Sequence, residues 1–258
     1  IHAFPAFGTY FYNFNCLPRL ADGRVNPFAD ARVRKAFALS VDKESVTRNI
    51  RRSGEPVANT LIPKGAIAGY DGPAGLAYDP AAARELLKEA GFPNGDGLPA
   101  IELMFNKEGG HDLIAQAIAK DWERELGVRV QLEMKEIKVF REDLKNANYM
   151  VSRAAWFGDY GDPTTFLDLS ETGNGNNDRK FSNAAYDALL AQARDERDPT
   201  RRLAILADAE RMLVEEQFPV VPIFHYVQLY LFDAAKLRGI SSHPRQQQDM
   251  YLVEVTRE

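Results

Sequence analysis

Cysteine is almost absent from this chain of 258 residues, in which Cys16 is the single example. One cysteine cannot form an internal disulfide, and cysteines alone cannot build a structural zinc site here. The histidines His2, His111, His225 and His243 are scattered along the chain, and no H-E-x-x-H sequence occurs. We therefore expect neither a metal centre nor a cofactor.

Long apolar runs and an excess of positive charge are also missing. No stretch of about 18 apolar residues occurs, so the sequence predicts no membrane-spanning helix. The formal net charge is −5, from 32 Lys and Arg residues against 37 Asp and Glu residues. The densest basic stretch contains Arg48, Arg51 and Arg52, which we interpret as one solvated helix face. Because no basic stripe is present, we expect no nucleic-acid partner.

Motifs of common enzyme classes are missing as well. The chain contains neither a G-x-G-x-x-G nor a G-x-x-x-x-G-K-[ST] phosphate loop, and it contains no G-x-S-x-G nucleophile elbow. No catalytic residue can be assigned from a motif. The first residue is Ile1 rather than Met, and strand-like sequence follows at once, which favours a chain cut from within a larger fold.

Strand-like and helix-like segments alternate along the chain. Residues 9–15 and 219–232 are predicted strands, whereas Asp30 and Asp79 are predicted N-caps of helices. Residues 55–78, rich in Pro and Gly, are predicted to form an irregular excursion. Strands that alternate with helices of 10–18 residues indicate an α/β fold with a mixed β-sheet flanked by helices.

One segment, residues 153–163 (RAAWFGDYGDP), concentrates polar chemistry at a predicted strand end. Asp159 and Asp162 could form a carboxylate pair for glycoside hydrolysis, but such pairs usually come from separate elements. Asp162 is also a candidate helix cap. Recognition is the other interpretation: Asp159 could bind an ammonium group, Trp156 could supply an aromatic wall, and Arg153 could hold a carboxylate. A salt-bridged surface turn is the structural alternative.

Several longer motifs resemble one family. Residues 28–43 (FADARVRKAFALSVDK) are similar to an F-x-D-x-R-V-R-x-A signature that ends in D-R/K. Residues 86–92 (LLKEAGF), 126–128 (LGV) and 159–167 (DYGDPTTFL) follow in the same order as in that family. The chain is thereby identified as similar to the C-terminal large lobe of extracytoplasmic solute-binding proteins of the peptide/nickel class, the oligopeptide- and dipeptide-binding components of ABC importers.

The resemblance implies a periplasmic-binding-protein-like lobe that binds peptides at an interlobe cleft and delivers them to a membrane permease. Residues 1–227 would form the second lobe, and residues 228–258 would return to a missing N-terminal lobe. Such a protein is expected to be non-enzymatic, to be monomeric at full length, and to lie in the periplasm or on the extracellular face of the bacterial cytoplasmic membrane. Relatives that bind nickel complexes, oligosaccharides or haem leave a non-peptide cargo open.

The same resemblance assigns ligand-binding positions residue by residue. Asp159 matches the aspartate that pairs with the peptide amino group, and Arg153 is a candidate for the peptide carboxylate. The full predicted set is Asn106, His111, Arg153, Trp156, Asp159 and Tyr226. Asn13 departs from the pattern, because oligopeptide binders can carry an acid at that position.

Each predicted site residue also has a structural alternative. Asn106 could cap the following helix or satisfy a turn, and His111 could be an exposed residue at the N-terminus of that helix. Arg153 could pair with a nearby acid, and Tyr226 could only pack against the hinge.

Overall fold

The computed structural model describes residues 1–256, so positions 257 and 258 of the predicted return segment lie outside the described residues. The strands are β1 (His2–Phe14), β2 (Ile101–Asn106), β3 (Val130–Lys135), β4 (Val151–Phe157), β5 (Val220–Tyr230), β6 (Leu237–Arg238) and β7 (Glu254–Val255).

Helices cover both sides of the strands. They are α1 (Ala31–Leu39), α2 (Lys43–Ser45), α3 (Pro80–Glu89), α4 (His111–Leu126), α5 (Ile137–Lys145), α6 (Thr164–Leu167), α7 (Ala184–Asp195) and α8 (Pro199–Arg211). Helix α2 continues as π-helical turns over Val46–Arg51, and α8 continues in the same way over Met212–Gln217. Among the helices of residues 1–256, none has the length and apolar character needed to cross a membrane.

The main sheet has five strands in the order β3-β2-β4-β1-β5. Strand β2 runs parallel to β3 and β4, whereas β1 runs antiparallel to β4 and β5. Strands β6 and β7 form a separate antiparallel pair. The predicted α/β fold with a mixed sheet is therefore confirmed.

Strand β1 contributes to a separate hydrophobic core on each face of the sheet. Tyr10, Tyr12 and Phe14 belong to the core that α1, α3 and α4 cover, which we call core A. Phe7 and Phe11 belong to the core that α7 and α8 cover, which we call core B. Successive side chains of a strand point to opposite faces, so an unbroken apolar run is what a strand buried on both faces requires. Burying each large side chain contributes about 1.5–3 kcal/mol.

The predicted helix starts depend on short side-chain hydrogen bonds. The backbone N–H of Arg32 donates to Asp30 at 2.8 Å, and that of Ala82 donates to Asp79 at 3.0 Å. These bonds satisfy amide groups that a helix leaves unpaired in its first turn. At the C-terminal end of α4, Gly127 has a φ of 70°, the left-handed conformation that glycine adopts at low cost.

The pairing of β1 with β5 is interrupted between Pro5 and Thr9. Within the interruption, the N–H of Phe7 donates to Pro244 O at 2.8 Å, and the N–H of Gly158 donates to Phe7 O at 2.8 Å. Regular pairing resumes toward the chain start, where His2 lies opposite Tyr230. The interruption thus separates the sheet proper from a two-stranded extension.

Residues 55–78 form the predicted irregular excursion, which one buried carboxylate fastens to α8. Glu210 accepts hydrogen bonds from the N–H groups of Leu61 (2.8 Å) and Ile62 (2.7 Å), and from the Tyr70 hydroxyl (2.7 Å). Glu210 is completely buried. Burial raises its pKa to about 7, although the three donated bonds favour the charged form.

The elevated pKa of Glu210 predicts a specific dependence of stability on pH. The folded state binds this proton more tightly than the unfolded state, so the contribution is fully present below about pH 4.5 and is lost as pH rises through about 7. We expect Glu210→Gln to remove that slope from the free energy of unfolding measured by urea titration. Glu210→Ala should cost about 3 kcal/mol, because it leaves buried donors unpaired.

The matched control is Glu216→Gln, at an exposed position in the segment that follows α8. It should leave the slope between pH 4.5 and 7 unchanged. An identical slope in Glu210→Gln and in the unsubstituted chain would contradict the assignment.

Candidate functional site

One edge of the sheet collects most of the predicted site residues. Strands β2, β3 and β4 are parallel and end at this edge, with Asn106 closing β2 and Phe157 closing β4. Strand β1 begins there because it runs antiparallel to β4, and β5 ends there because it runs antiparallel to β1. In open α/β sheets, ligands bind outside the carboxyl ends of the strands.

Arg153 and Asn106 are directly bonded across neighbouring strands. The Arg153 guanidinium donates to Asn106 Oδ1 through Nε at 2.8 Å and through Nη2 at 2.5 Å. It also lies 5.5 Å from the centre of the Phe140 ring. Asn106 Nδ2 donates to the Glu108 carbonyl at 2.9 Å. Asn106 therefore orients Arg153 and does not cap α4, whose N-cap is Gly110.

No carboxylate within residues 1–256 pairs with the Arg153 guanidinium. Its hydrogen-bond acceptor is a neutral amide oxygen. The alternative in which Arg153 pairs with a nearby acid is therefore wrong.

His111 lies at the first turn of α4 and is buried, not exposed at the surface. Its Nδ1 is 3.2 Å from the hydroxyl of Tyr10, which projects from β1 into core A. Burial, together with the positive charges of Arg153 and Arg51, lowers the pKa of His111 to about 4. The imidazole is consequently neutral near pH 7.

Aromatic rings form the wall between these polar groups and the end of β4. Tyr226 stacks on Phe157 with ring centres 4.8 Å apart, and it lies edge-on to Phe224 at 5.3 Å. Tyr10 stacks on Phe224 at 4.8 Å. Tyr226 packs against Tyr10 of β1 and Phe157 of β4 and belongs to this wall.

Arg51 also belongs to this region, although its sequence context predicts a solvated helix face. That prediction is wrong, because the Arg51 guanidinium lies 5.1 Å from the centre of the Phe224 ring and donates to Glu55 at 2.7 and 2.9 Å. Arg51 is the last residue of the π-helical turns that follow α2. No local sequence signal distinguishes it from its exposed neighbour Arg52.

Trp156 does not lie on the same face of the sheet as Arg153. It is opposite Thr9 in the β1–β4 register and packs against core B, whereas Arg153 is opposite Tyr12 of core A. The indole Nε1 of Trp156 is buried and has no hydrogen-bond partner among the described residues. The two predicted site residues therefore flank the edge from opposite sides.

Asp159 lies in the turn after β4, where its carboxylate is exposed. Its backbone N–H donates to Thr165 Oγ1 at 2.9 Å, which fixes the turn. The neighbouring pocket of about 350 Å³ is also lined by Phe7, Phe157 and Arg245.

The carboxylate of Asp162 is bound within the fold by hydrogen bonds, which disfavours a catalytic carboxylate pair with Asp159. The Arg202 guanidinium donates to its two oxygens at 2.6 and 3.0 Å. Asp162 also accepts from the backbone N–H of Thr164 at 3.1 Å, but it lies one residue before Pro163, which is the N-cap of α6, so the predicted cap position is wrong by one residue. Within residues 1–256, no three His, Cys, Asp or Glu side chains cluster as metal ligands.

The geometry predicts how His111 responds to its charged neighbours. We expect Arg153→Met to raise the pKa of the His111 imidazole, because the substitution removes a positive charge that disfavours the protonated ring. The measurement is an NMR titration of the imidazole signals between pH 3 and 8.

Arg197→Met, at an exposed position between α7 and α8, is the control and should leave the pKa of His111 in place. A His111 pKa that is the same in Arg153→Met as in the unsubstituted chain would refute the described proximity.

Known proteins are similar to this chain in sequence and architecture. Residues 1–178 match the family described as bacterial extracellular solute-binding proteins, family 5 Middle. The oligopeptide-binding protein of Bacillus subtilis (strain 168) is 32% identical over 247 residues, which cover 93% of this chain and 44% of that protein. The periplasmic murein peptide-binding protein of Escherichia coli (strain K12) is 35% identical over 234 residues, which cover 86% of this chain and 41% of that protein.

A solved structure agrees with these matches. The Escherichia coli murein tripeptide-binding protein superposes with a TM-score of 0.83 at 32% identity, covering 100% of this chain and 50% of the other. This chain thus spans about half the length of the relatives that it matches, and its fold is that of one periplasmic-binding-protein lobe. Because the family match extends over 178 of 258 residues, the chain belongs to family 5 of the bacterial extracellular solute-binding proteins.

Proposed function

We propose that this chain is the C-terminal lobe of a two-lobed protein that binds short peptides and delivers them to an ABC permease. The observation that carries the proposal is a separation of charge along one sheet edge. The exposed carboxylate of Asp159 lies at the end of β4, and the unneutralised guanidinium of Arg153 lies further back on the same strand. An extended peptide carries the opposite charges at its two ends.

The dimensions of the edge support a short ligand. Arg153 and Phe157 are four residue steps apart on β4, about 13 Å at the usual rise per residue, and Asp159 follows two residues later. A fully extended peptide of about four residues spans a similar length. The aromatic wall of Tyr226 and Phe157 lies between the two charges and would contact the ligand's main chain or side chains.

Each charge would recognise its counterpart by a strong, directional interaction. The Arg153 guanidinium is already oriented by Asn106, so little side-chain entropy is lost when a carboxylate binds. His111 is neutral and Arg51 is paired with Glu55, so Arg153 is the free cation of this group within the described residues. A hydrogen bond to a charged group is worth about 1.5–3 kcal/mol.

The segment after β5 exposes apolar side chains, which supports the proposal of a second lobe outside this sequence. Leu231, Tyr251 and Val255 expose more than two thirds of their surface in the segment after β5. We propose that residues 1–227 form the lobe described here and that residues 228–258 pack against the N-terminal lobe. Closure of the two lobes would then bury the ligand.

The cellular setting follows from the same proposal. A binding component of an importer works outside the cytoplasmic membrane, in the periplasm or on the extracellular face, and presents its closed form to the permease. We propose that the full-length protein is monomeric and has no catalytic activity.

The decisive measurement tests the amine end of the site. In the full-length natural protein, we expect Asp159→Asn to weaken binding of trialanine by about tenfold to a hundredfold, because one charged hydrogen bond is lost. Isothermal titration calorimetry gives the dissociation constants. N-acetylated trialanine lacks the ammonium group, so its affinity should be equally weak for both proteins.

The matched control is Asp195→Asn, an exposed position at the end of α7 that should bind trialanine normally. If the full-length protein binds neither trialanine nor other di- to pentapeptides at millimolar concentration, the proposal is refuted and a non-peptide cargo is favoured.

A further inference from the structure

A second pocket opens beside the proposed peptide site, on the core B side of the sheet. Its volume is about 490 Å³, within the usual range of small-molecule sites. It is lined by the chain start, the excursion and the end of β5, through residues that include Pro5, Asn59, Lys64, His225 and Tyr226. None of the proposed ligand contacts other than Tyr226 belongs to it.

The pocket adjoins the proposed peptide site through a shared side chain. Tyr226 forms part of its wall and also stacks on Phe157, two residues before Asp159. In the sheet register, Trp156 of β4 and His225 of β5 both lie opposite Thr9, so the three side chains form a row on the core B face. A peptide that crosses this edge can place one side chain on that face.

Among the residues that the structure describes, Lys64 is the charged side chain that lines this pocket. It also lines an adjoining pocket, where it faces Asp71 and Glu210. Lys64 forms no ion pair among residues 1–256, and no Asp or Glu side chain of those residues lines the first of these two pockets. The buried Lys43 lies behind the wall, where its Nζ donates to Asn59 Oδ1 at 3.1 Å. Since that bond occupies the Asn59 oxygen, the Asn59 amide N–H groups are left as donors. The nearby carboxylate of Glu210 is already held by three donors.

His225 adds a neutral acceptor. The Thr9 hydroxyl donates to Leu61 O at 2.8 Å, so its oxygen accepts from His225 Nδ1 at 2.8 Å, and the His225 Nε2 lone pair stays free. Burial and the charges of Lys43 and Lys64 lower the pKa of His225 to about 4, which keeps the ring neutral near pH 7. A main-chain N–H of a ligand would complement this nitrogen.

From these observations we infer that the pocket is a subsite for an acidic side chain of the bound peptide, with Lys64 as the partner of its carboxylate. The inference rests on the proposed peptide binding and extends it to the class of peptide. An Asp or Glu residue offers a carboxylate for Lys64 and Asn59, together with a main-chain N–H for His225.

The experiment compares peptides that differ only in charge at one position. Tripeptides of alanine carry either Glu or Gln at the first, second or third position, and calorimetry measures their affinities for the full-length natural protein. At one of the three positions, we expect the Glu peptide to bind about fivefold more tightly than the Gln peptide, as about 1 kcal/mol from a solvent-accessible ion pair implies.

Variants of Lys64 separate this subsite from general electrostatics. Lys64→Gln should abolish the Glu preference and leave the affinity for the Gln peptides unchanged, whereas Lys64→Arg should retain the preference. Lys120→Gln removes one charge from an exposed position on α4 and should also retain it.

Two results would overturn the inference while peptide binding itself stands: equal affinities for Glu and Gln peptides at all three positions, or a Glu preference that survives in Lys64→Gln. Absence of binding by every tripeptide would instead refute the proposed function and, with it, this subsite.

Discussion

Strand β1 is the element on which the rest of the structure depends, because it is hydrogen-bonded along both edges and buried on both faces. It pairs with β4 and β5 over most of its length, and its alternate side chains enter cores A and B. Such a strand has no solvent face, so a shift of register by one residue would exchange Tyr10 and Tyr12 with Phe11 and break both cores. The positions of β4 and β5, and of every side chain they carry, follow from it.

The candidate site inherits this two-sided geometry. Arg153 and Trp156 are three residues apart on β4, so they point to opposite faces and can contact a ligand only at the edge where the sheet ends. The core A side offers fixed, bonded polar groups such as Asn106 and His111. The core B side offers a roomier pocket with Lys64. A ligand lying across the edge would therefore meet a rigid main-chain site and a separate side-chain pocket.

Local chemistry could be predicted from the sequence, whereas long-range partners could not. The caps at Asp30 and Asp79 and the glycine at Gly127 were predictable because each depends on residues within one helical turn. Motif resemblance assigned Asn106, His111 and Arg153 to one ligand cleft, and the structure places them close together. Their role in binding a ligand stays a prediction.

The features that the sequence did not predict share one physical origin. The inward turn of Arg51 depends on Phe224, and the commitment of Asp162 depends on Arg202, which is 40 residues away. Trp156 and Arg153 lie on opposite faces of the sheet, and the core that each contacts depends on the register of β4 against β1. Each of these facts is set by tertiary packing, which no local pattern of the sequence records.

The interrupted pairing between Pro5 and Thr9 has a mechanical consequence. Extra or unpaired residues in a ladder let a strand bend without loss of the hydrogen bonds on either side. Here the bonds of Phe7 go to Pro244 and Gly158, so a bend between the sheet and the ribbon of residues 2–5 and 227–230 would break no β1–β5 ladder bond at this point. Phe7 lines the pocket beside Asp159, and Pro5 lines the pocket that contains Lys64. A bend at this interruption would therefore alter the width of both pockets together.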